Sequence, residues 1–279
     1  MVMGSLRMEA DVVVIGSGPG GYVAAIRAAD LGKDVIVVEE REQLGGTCLL
    51  EGCIPSKTMI HAVEVVHDAV DAAEYGISVE GITVDPTRLR SKTTEVVSGL
   101  AGGVATLLKK RGVEVVRGRA RFEGPNSLAL EGSDVAGIEF RHAIIATGSR
   151  PRKLAVAVSD DVDVWDSTDA LALPEVPDRL IVIGGGYIGL ELGLVYSGLG
   201  SKVTVVEYQP RLLAGADKDL VKVMVKSAEP RFDEVLYESK VTGVAKTDAG
   251  YEVTIDSNGD SRVLVADRVL ASVGRAPCT

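Results

Sequence analysis

Aromatic residues are scarce in this 279-residue chain, at 4%, with a single Trp. Any core must therefore be built mainly from Val, Leu, Ile and Ala; the hydrophobic share of 46% is enough for two cores. Positive charge is also in deficit. Thirty Lys and Arg face forty Asp and Glu, a net charge of −10, and no dense basic run occurs. Phosphodiester binding calls for a positive stripe, so no nucleic-acid partner is expected. No run of ~18 unbroken apolar residues exists, so no membrane span is expected either. The first ten residues carry one Arg and no long apolar segment, which does not read as a secretory signal. Three cysteines are too few for a disulfide framework in a chain this long. His61 and His67 stand six apart, which does not give a shared ligand face as four would. The expectation is a cytoplasmic protein without a metal site.

What is present alternates strand and helix. Val12-Val13-Val14-Ile15 and Val35-Ile36-Val37-Val38 are apolar and largely β-branched. Such runs suit strands covered on both faces, as in parallel sheets flanked by helices. Residues 20–31 read as a helix of small residues, Ser56–Tyr75 and Thr87–Arg111 as longer helices, and 114–117 and 143–147 as strands. Gly112 is a fitting helix stop. A boundary falls at Arg150-Pro151, because proline disfavours helix in the residue before it. The pattern then restarts, with strand 180–183, a glycine turn, helix 189–199 and strand 203–207. Trp165 precedes an expected Ser or Thr helix cap and reads as a core anchor. Later segments alternate with period two, as in Tyr251-Glu252-Val253-Thr254-Ile255. The fold class is α/β, with one βαβ motif used twice.

Each βαβ unit carries a glycine motif between strand and helix. The first is Gly16-Ser17-Gly18-Pro19-Gly20-Gly21; the second is Gly184-Gly185-Gly186-Tyr187-Ile188-Gly189. In this motif the first Gly makes the tight turn and the second lets backbone approach a pyrophosphate. The third lets helix and strand pack closely, and the helix N-terminus faces the negative charge. A carboxylate at the end of the next strand takes the ribose diol. Glu39 follows Gly21 by 18 positions, and Glu207 follows Gly189 by the same 18. A lone glycine motif is a weak signal, but two in matched context with matched carboxylates point to two dinucleotide sites. Glu207 would repel a 2′-phosphate, so the second site is expected to prefer NAD.

Between the sites lies Gly45-Gly46-Thr47-Cys48-Leu49-Leu50-Glu51-Gly52-Cys53-Ile54-Pro55-Ser56-Lys57. A bridge closing so short a loop adds little stability, so a structural staple is a poor reading. Catalysis and metal binding are the usual roles of such a pair in a reducing compartment. Metal would need partner ligands, and His61 has no second Cys pair or HxxxH beside it.

The segment G-G-T-C-x-x-x-x-G-C-I-P-S-K resembles the signature of the pyridine nucleotide–disulfide oxidoreductases whose cysteines lie in the FAD domain. Ala146-Thr147-Gly148-Ser149 is similar to that family's FAD-contacting strand end, and Gly274-Arg275-Ala276-Pro277 to its G-R-x-P segment. Trp165-Asp166-Ser167-Thr168 and Ala216-Asp217-Lys218-Asp219 resemble its dihydrolipoamide dehydrogenase branch more than its glutathione or mercuric reductases.

The resemblance implies two Rossmann-like domains with parallel central sheets. Residues 1–150 would bind FAD and carry the redox disulfide, and 151–279 would bind NAD. Cys48 would be the interchange thiol and Cys53 the thiolate against the flavin. Lys57 would sit near the reactive flavin nitrogen, paired with Glu191; a surface ion pair is the alternative. The expected FAD contacts are Gly16, Gly18, Gly21, Glu39, Gly46, Thr47, Lys57, Thr147, Gly148, Gly274 and Arg275. Those for NAD are Gly184, Gly186, Ile188, Gly189, Glu207 and Tyr187, the last covering the nicotinamide or filling a helix–sheet junction.

The implied reaction passes electrons from dihydrolipoamide through Cys48–Cys53 and FAD to NAD+. The dithiol would be carried on a 2-oxo acid dehydrogenase complex or a glycine-cleavage carrier protein. Longer members continue into a second FAD-contacting stretch and an interface domain, which forms a homodimer and supplies a His–Glu acid–base dyad. These 279 residues hold neither. A related disulfide reductase, or a truncated FAD- and NAD-binding form without catalysis, are the alternatives, and poor dihydrolipoamide turnover by these residues alone is expected.

Overall fold

The computed structural model describes residues 6–159 and 162–279; half of the N-terminal decapeptide read for a signal lies outside them. Two compact units result. One holds the chain through Pro55, Thr94–Arg150 and Pro277–Thr279, and the other holds Ser56–Thr93 and Pro151–Ala276.

The first unit is built on β1 (Arg7–Ile15), α1 (Pro19–Asp30) and β2 (Val35–Glu39). A short helix, α2 (Gly46–Glu51), follows and breaks at Gly52, and α3 (Cys53–Asp71) begins at once. After α4 (Pro86–Lys110) come β3 (Glu114–Arg117), β4 (Arg119–Gly124), β5 (Ser127–Glu131), β6 (Gly137–Ile145) and β7 (Ser149–Pro151). The sheet order is β3-β2-β1-β6-β5-β4. Its first four strands are parallel, while β5 and β4 extend it antiparallel. The continuous apolar runs are explained by burial on both faces. Val12, Val14, Val35 and Val37 pack with Ala25 of α1 and with Val97, Ala101, Val104 and Leu108 of α4. Alternate residues Val13, Ile36 and Val38 pack with Leu128, Leu130 and Ile138 on the other face.

In the second unit, β8 (Ala157–Val158) and α5 (Ser167–Leu171) precede β9 (Arg179–Ile183), α6 (Tyr187–Gly198), β10 (Lys202–Val206), α7 (Lys218–Ala228) and β11 (Glu234–Leu236). A meander of β12 (Ser239–Thr247), β13 (Gly250–Ser257) and β14 (Asp260–Ala266) leads to β15 (Arg268–Ala271) and β16 (Arg275–Pro277). The central sheet, β11-β10-β9-β15, is wholly parallel. The period-two segments form a separate sheet, β14-β13-β12-β8. Both units are thus Rossmann-type α/β folds, each with an added antiparallel element.

Trp165 is a core residue, 4% exposed, and lies 5.9 Å from the ring of Tyr196. The helix after it is capped by Asp166, not by Ser or Thr. The Asp166 carboxylate accepts from the amides of Thr168 and Asp169, and Asp169 answers by accepting from the Asp166 amide. A single carboxylate oxygen, Asp166 Oδ1, thus takes two of the amides that a helix start leaves open.

Candidate dinucleotide and dithiol sites

The two glycine loops superimpose in their bonding pattern. The Gly16 amide donates to Val38 O at 2.8 Å, and that of Gly184 to Val206 O at 2.9 Å. Ala146 N meets Ile15 O at 2.8 Å, as Ser272 N meets Ile183 O at 2.8 Å. Gly18 caps the N-terminus of α1 and Gly186 that of α6, both with extended backbone. At the third glycines no side chain fits. A Cβ on Gly21 would fall on the carbonyl of Gly16, and one on Gly189 on the carbonyl of Gly184. Helix and strand approach so closely at these two points that only glycine serves. Tyr187 and Ile188 open α6, with Tyr187 63% exposed.

Glu39 and Glu207 are buried, 7% and 8% exposed, at the ends of β2 and β10. Sequence spacing alone assigned them to ribose; the structure adds what holds them. Glu39 Oε2 accepts from the amide of Ser17 at 2.8 Å and from its hydroxyl at 2.6 Å, and Oε1 accepts from Arg41 N at 3.0 Å. Glu207 Oε2 accepts from Gly185 N at 2.6 Å, and Oε1 from Gln209 N at 2.7 Å. Each carboxylate is thereby fixed beneath its glycine loop. The variable position of the motif distinguishes the two sites. Ser17, fully buried, supplies a hydroxyl where Gly185 has none. Its only sequence signal is a hydroxyl residue inside a glycine motif.

The cysteine segment lies directly on the first loop. Gly45 N is 3.1 Å from the carbonyl of Ser17 and 3.3 Å from its hydroxyl. Gly46 has φ +61°, and a Cβ there would stand 2.5 Å from the Cα of Gly18. Two glycine backbones touch at this point. Cys48, half-buried, lies on α2, and exposed Cys53 opens α3. The chain doubles back between them: a Cβ on Gly52 would lie 2.8 Å from the Thr47 carbonyl and 3.2 Å from the Cys48 Cα. The residue before Cys53 thus rests against the backbone of Thr47 and Cys48. Among the described residues no three His, Cys, Asp or Glu side chains gather as a metal site would require.

Thr147 and Gly148 close the first unit, where the Thr147 hydroxyl donates to Cys278 O at 2.5 Å and Cys278 N to Gly148 O at 3.0 Å. Lys57 and Glu191 meet in the second unit. The ammonium stands 2.5 Å from Glu191 Oε1, and Ser56 Oγ donates to Oε2 at 3.1 Å. In the same unit the carbonyls of Gly274 and Arg275 accept from Arg152 N and Nε, at 3.0 and 3.1 Å.

Residues 10–279 match the pyridine nucleotide-disulphide oxidoreductase family. The chain belongs to this family. Among curated relatives, a dihydrolipoyl dehydrogenase of Vibrio parahaemolyticus is 43% identical over 98% of this chain. One from Geobacillus stearothermophilus is 43% identical over 100% of it, and a mitochondrial one from Dictyostelium discoideum is 45% identical over 97%. The chain spans 57–59% of the length of these family members. A solved structure, the HOCl-induced flavoprotein disulfide reductase of Escherichia coli, matches with a TM-score of 0.80 at 27% identity, over 96% of this chain and 57% of that one. No helix among the described residues is long and apolar enough to cross a membrane.

Proposed function

We propose that this chain carries the dinucleotide-binding and dithiol-exchange machinery of a dihydrolipoyl dehydrogenase. The observation that carries the reading is the seating of the cysteine segment on the first glycine loop, Gly46 on Gly18 and Gly45 on Ser17. A thiol pair held there stands beside whatever dinucleotide the loop binds. The first loop fits FAD: a glycine-rich cradle whose one hydroxyl, Ser17, is buried on Glu39, the N-terminus of α1 for the pyrophosphate, and buried Glu39 for the ribose. Gly46, Thr47, Thr147 and Gly148 would complete that site. The second loop fits NAD through Gly184, Gly186, Tyr187, Ile188, Gly189 and Glu207. Residues 1–150 would thus serve FAD and 151–279 NAD.

The chemistry starts from a Cys48–Cys53 disulfide. One thiolate of dihydrolipoamide attacks Cys48 and releases Cys53 as thiolate; the second substrate thiol then displaces Cys48. The substrate leaves as a cyclic disulfide, and two electrons rest on the cysteine pair. When bound, the flavin would relay that electron pair to NAD+, which takes it with one proton as hydride while a second proton goes to solvent. Lys57, steadied by Glu191, would place a positive charge at the electron-transfer site. The carrier would be the lipoyl protein of a 2-oxo acid dehydrogenase complex or of glycine cleavage, and the setting cytoplasmic.

Purified protein should be yellow with bound flavin, and mild reduction should release two thiols, mapped to Cys48 and Cys53. NADH should then reduce a dye through the bound flavin, while NAD+ reduction by dihydrolipoamide stays slow for these residues alone. A colourless protein that gains no melting temperature with added FAD would overturn the first-site assignment. A related disulfide reductase is the second reading, favoured by the likeness to the Escherichia coli flavoprotein. Profiling across dithiols and disulfides separates the two.

A further inference from the structure

Glu51 has no part in the chemistry above, yet it sits inside the cysteine segment. It closes α2 three residues after Cys48, and it precedes Cys53 by two. Residues three apart on a helix share a face, with Cβ atoms about 5–6 Å apart. A lone carboxylate at that range opposes the negative charge a reactive thiolate must carry. Arg41 answers it. The guanidinium lies 2.8 Å from Glu51 Oε1. The Arg41 pKa is raised, first by that hydrogen bond and then, against burial, by the charges of Glu51, Glu39 and Glu40.

The Arg41 amide also donates to Glu39 Oε1 at 3.0 Å, and the other oxygen of that carboxylate is held by Ser17 of the dinucleotide loop. Arg117 of β3 donates to the carbonyls of Arg41 and Glu42 and pins the segment from below. We propose that Arg41 and Glu51 form a charge-neutral tie, in which the guanidinium offsets the carboxylate that shares a helix face with Cys48 and so keeps Cys48 reactive. Arg41 is a positioning residue in this scheme, and the scheme rests on the reading of Cys48 as the interchange thiol.

Helix α1, which packs on α2, carries Arg27 and Asp30, the latter paired with Arg111. Glu51 is the sole charged residue of α2. The strand-end loop offers Glu39, Glu40, Arg41 and Glu42, with Glu39 bound by Ser17 and by the Arg41 amide. The α4 face packed near Leu49 is apolar, through Val97, Ala101, Val104 and Leu108, with Glu95 one turn-half earlier. Of these groups, Arg41 is the one whose side chain neutralises Glu51.

The test is alkylation of the reduced protein with iodoacetamide, read at Cys48 by peptide mass spectrometry from about pH 6 to pH 9.5. Arg41→Gln leaves Glu51 uncompensated and should slow Cys48 near neutral pH by about 2- to 5-fold, moving the profile to higher pH. Glu51→Gln leaves Arg41 in excess and should speed it by a similar factor, moving the profile to lower pH. These factors allow for the lower intrinsic nucleophilicity of a more acidic thiol. The double variant should return to within about twofold of the parent, and Arg41→Lys should retain most of the parental rate. Single variants that shift in the same direction, or a double variant that does not return, would overturn the proposal, because a merely structural tie predicts that pattern. Thiol counting on the oxidised protein is read separately. If Cys48 and Cys53 never form a reducible pair, the redox reading fails, whatever the sign of the alkylation shifts.

Discussion

Replacing Glu191 by Gln separates a working Lys57–Glu191 pair from a decorative one. The pair is short at 2.5 Å but open, with Lys57 58% exposed and Glu191 32% exposed. Exposed ion pairs contribute about 0–1 kcal/mol to stability. Gln preserves the size of the side chain and an acceptor for Ser56 Oγ, so the cost should stay within ~1 kcal/mol. For a chain of this size that is a fall of about 2–4 °C in Tm. Electron transfer should respond differently. If Lys57 steadies charge at the flavin, NADH-dependent reduction of a dye by FAD-saturated protein should drop about tenfold or more. Tenfold is already ~1.4 kcal/mol of barrier, above the whole stability effect. Melting and dye reduction are measured on the same preparation, together with the flavin absorption spectrum. Turnover within twofold of the parent, beside a small Tm change, would show a surface ion pair and refute the assignment. A Tm loss above about 10 °C would instead refute the argument from exposure.

Three further outcomes are expected. Glu207→Gln should narrow the preference for NADH over NADPH in binding titrations; Glu207→Ala should do the same and also lose about 1–3 kcal/mol of stability, because it strands the amides of Gly185 and Gln209. Tighter NADPH binding by the parent protein would refute the role of Glu207. Gly46→Ala must hold a left-handed φ of +61° and press a methyl to 2.5 Å from Gly18 Cα. It should weaken FAD binding at least tenfold in fluorescence titration while leaving NAD binding at the second loop unchanged; a displacement near 1 Å at a site is enough for such losses. Tyr237 has its pKa pushed up to about 12 from 10.0, by burial first and then by its hydrogen bond and charge contact with Glu229. The folded state therefore favours the neutral phenol. That stability is complete below pH 10 and is lost as pH rises toward 12. Tyr237→Phe should flatten the fall of Tm across this alkaline window, and an unchanged slope would refute it.

Much of the architecture was legible because it rests on short-range signals. The β-branched runs at 12–15 and 35–38 mark strands buried on both faces, and the observed partition of Val12 and Val14 from Val13 shows those two faces filled. Helix ends were less legible. Ser56 reads as a helix start, but α3 begins at Cys53, because Gly52 ends α2 by packing on Thr47 and Cys48. The antiparallel pair β4 and β5 is not legible in the sequence, since Arg119-Ala120-Arg121-Phe122 is half polar and gains strand structure only by pairing with β5, as β5 does with β6.

The sequence by itself determined the two βαβ repeats, the glycines of both loops, the carboxylates 18 residues beyond them and the cysteine segment. Each of these is written in neighbouring residues: a turn needs its glycine, and a buried strand needs its apolar run. Tertiary structure alone decided that Ser56–Thr93 pack with the second compact unit although the chain passes through them before completing the first. It alone showed Ser17 clamping Glu39 across 22 positions, Gly46 resting on Gly18, and Arg41 reaching Glu51. These contacts join segments that periodicity treats separately. They follow from where sheet and helices bring backbone amides, carbonyls and charges together, and a buried or half-buried polar group takes the partner that packing places within reach.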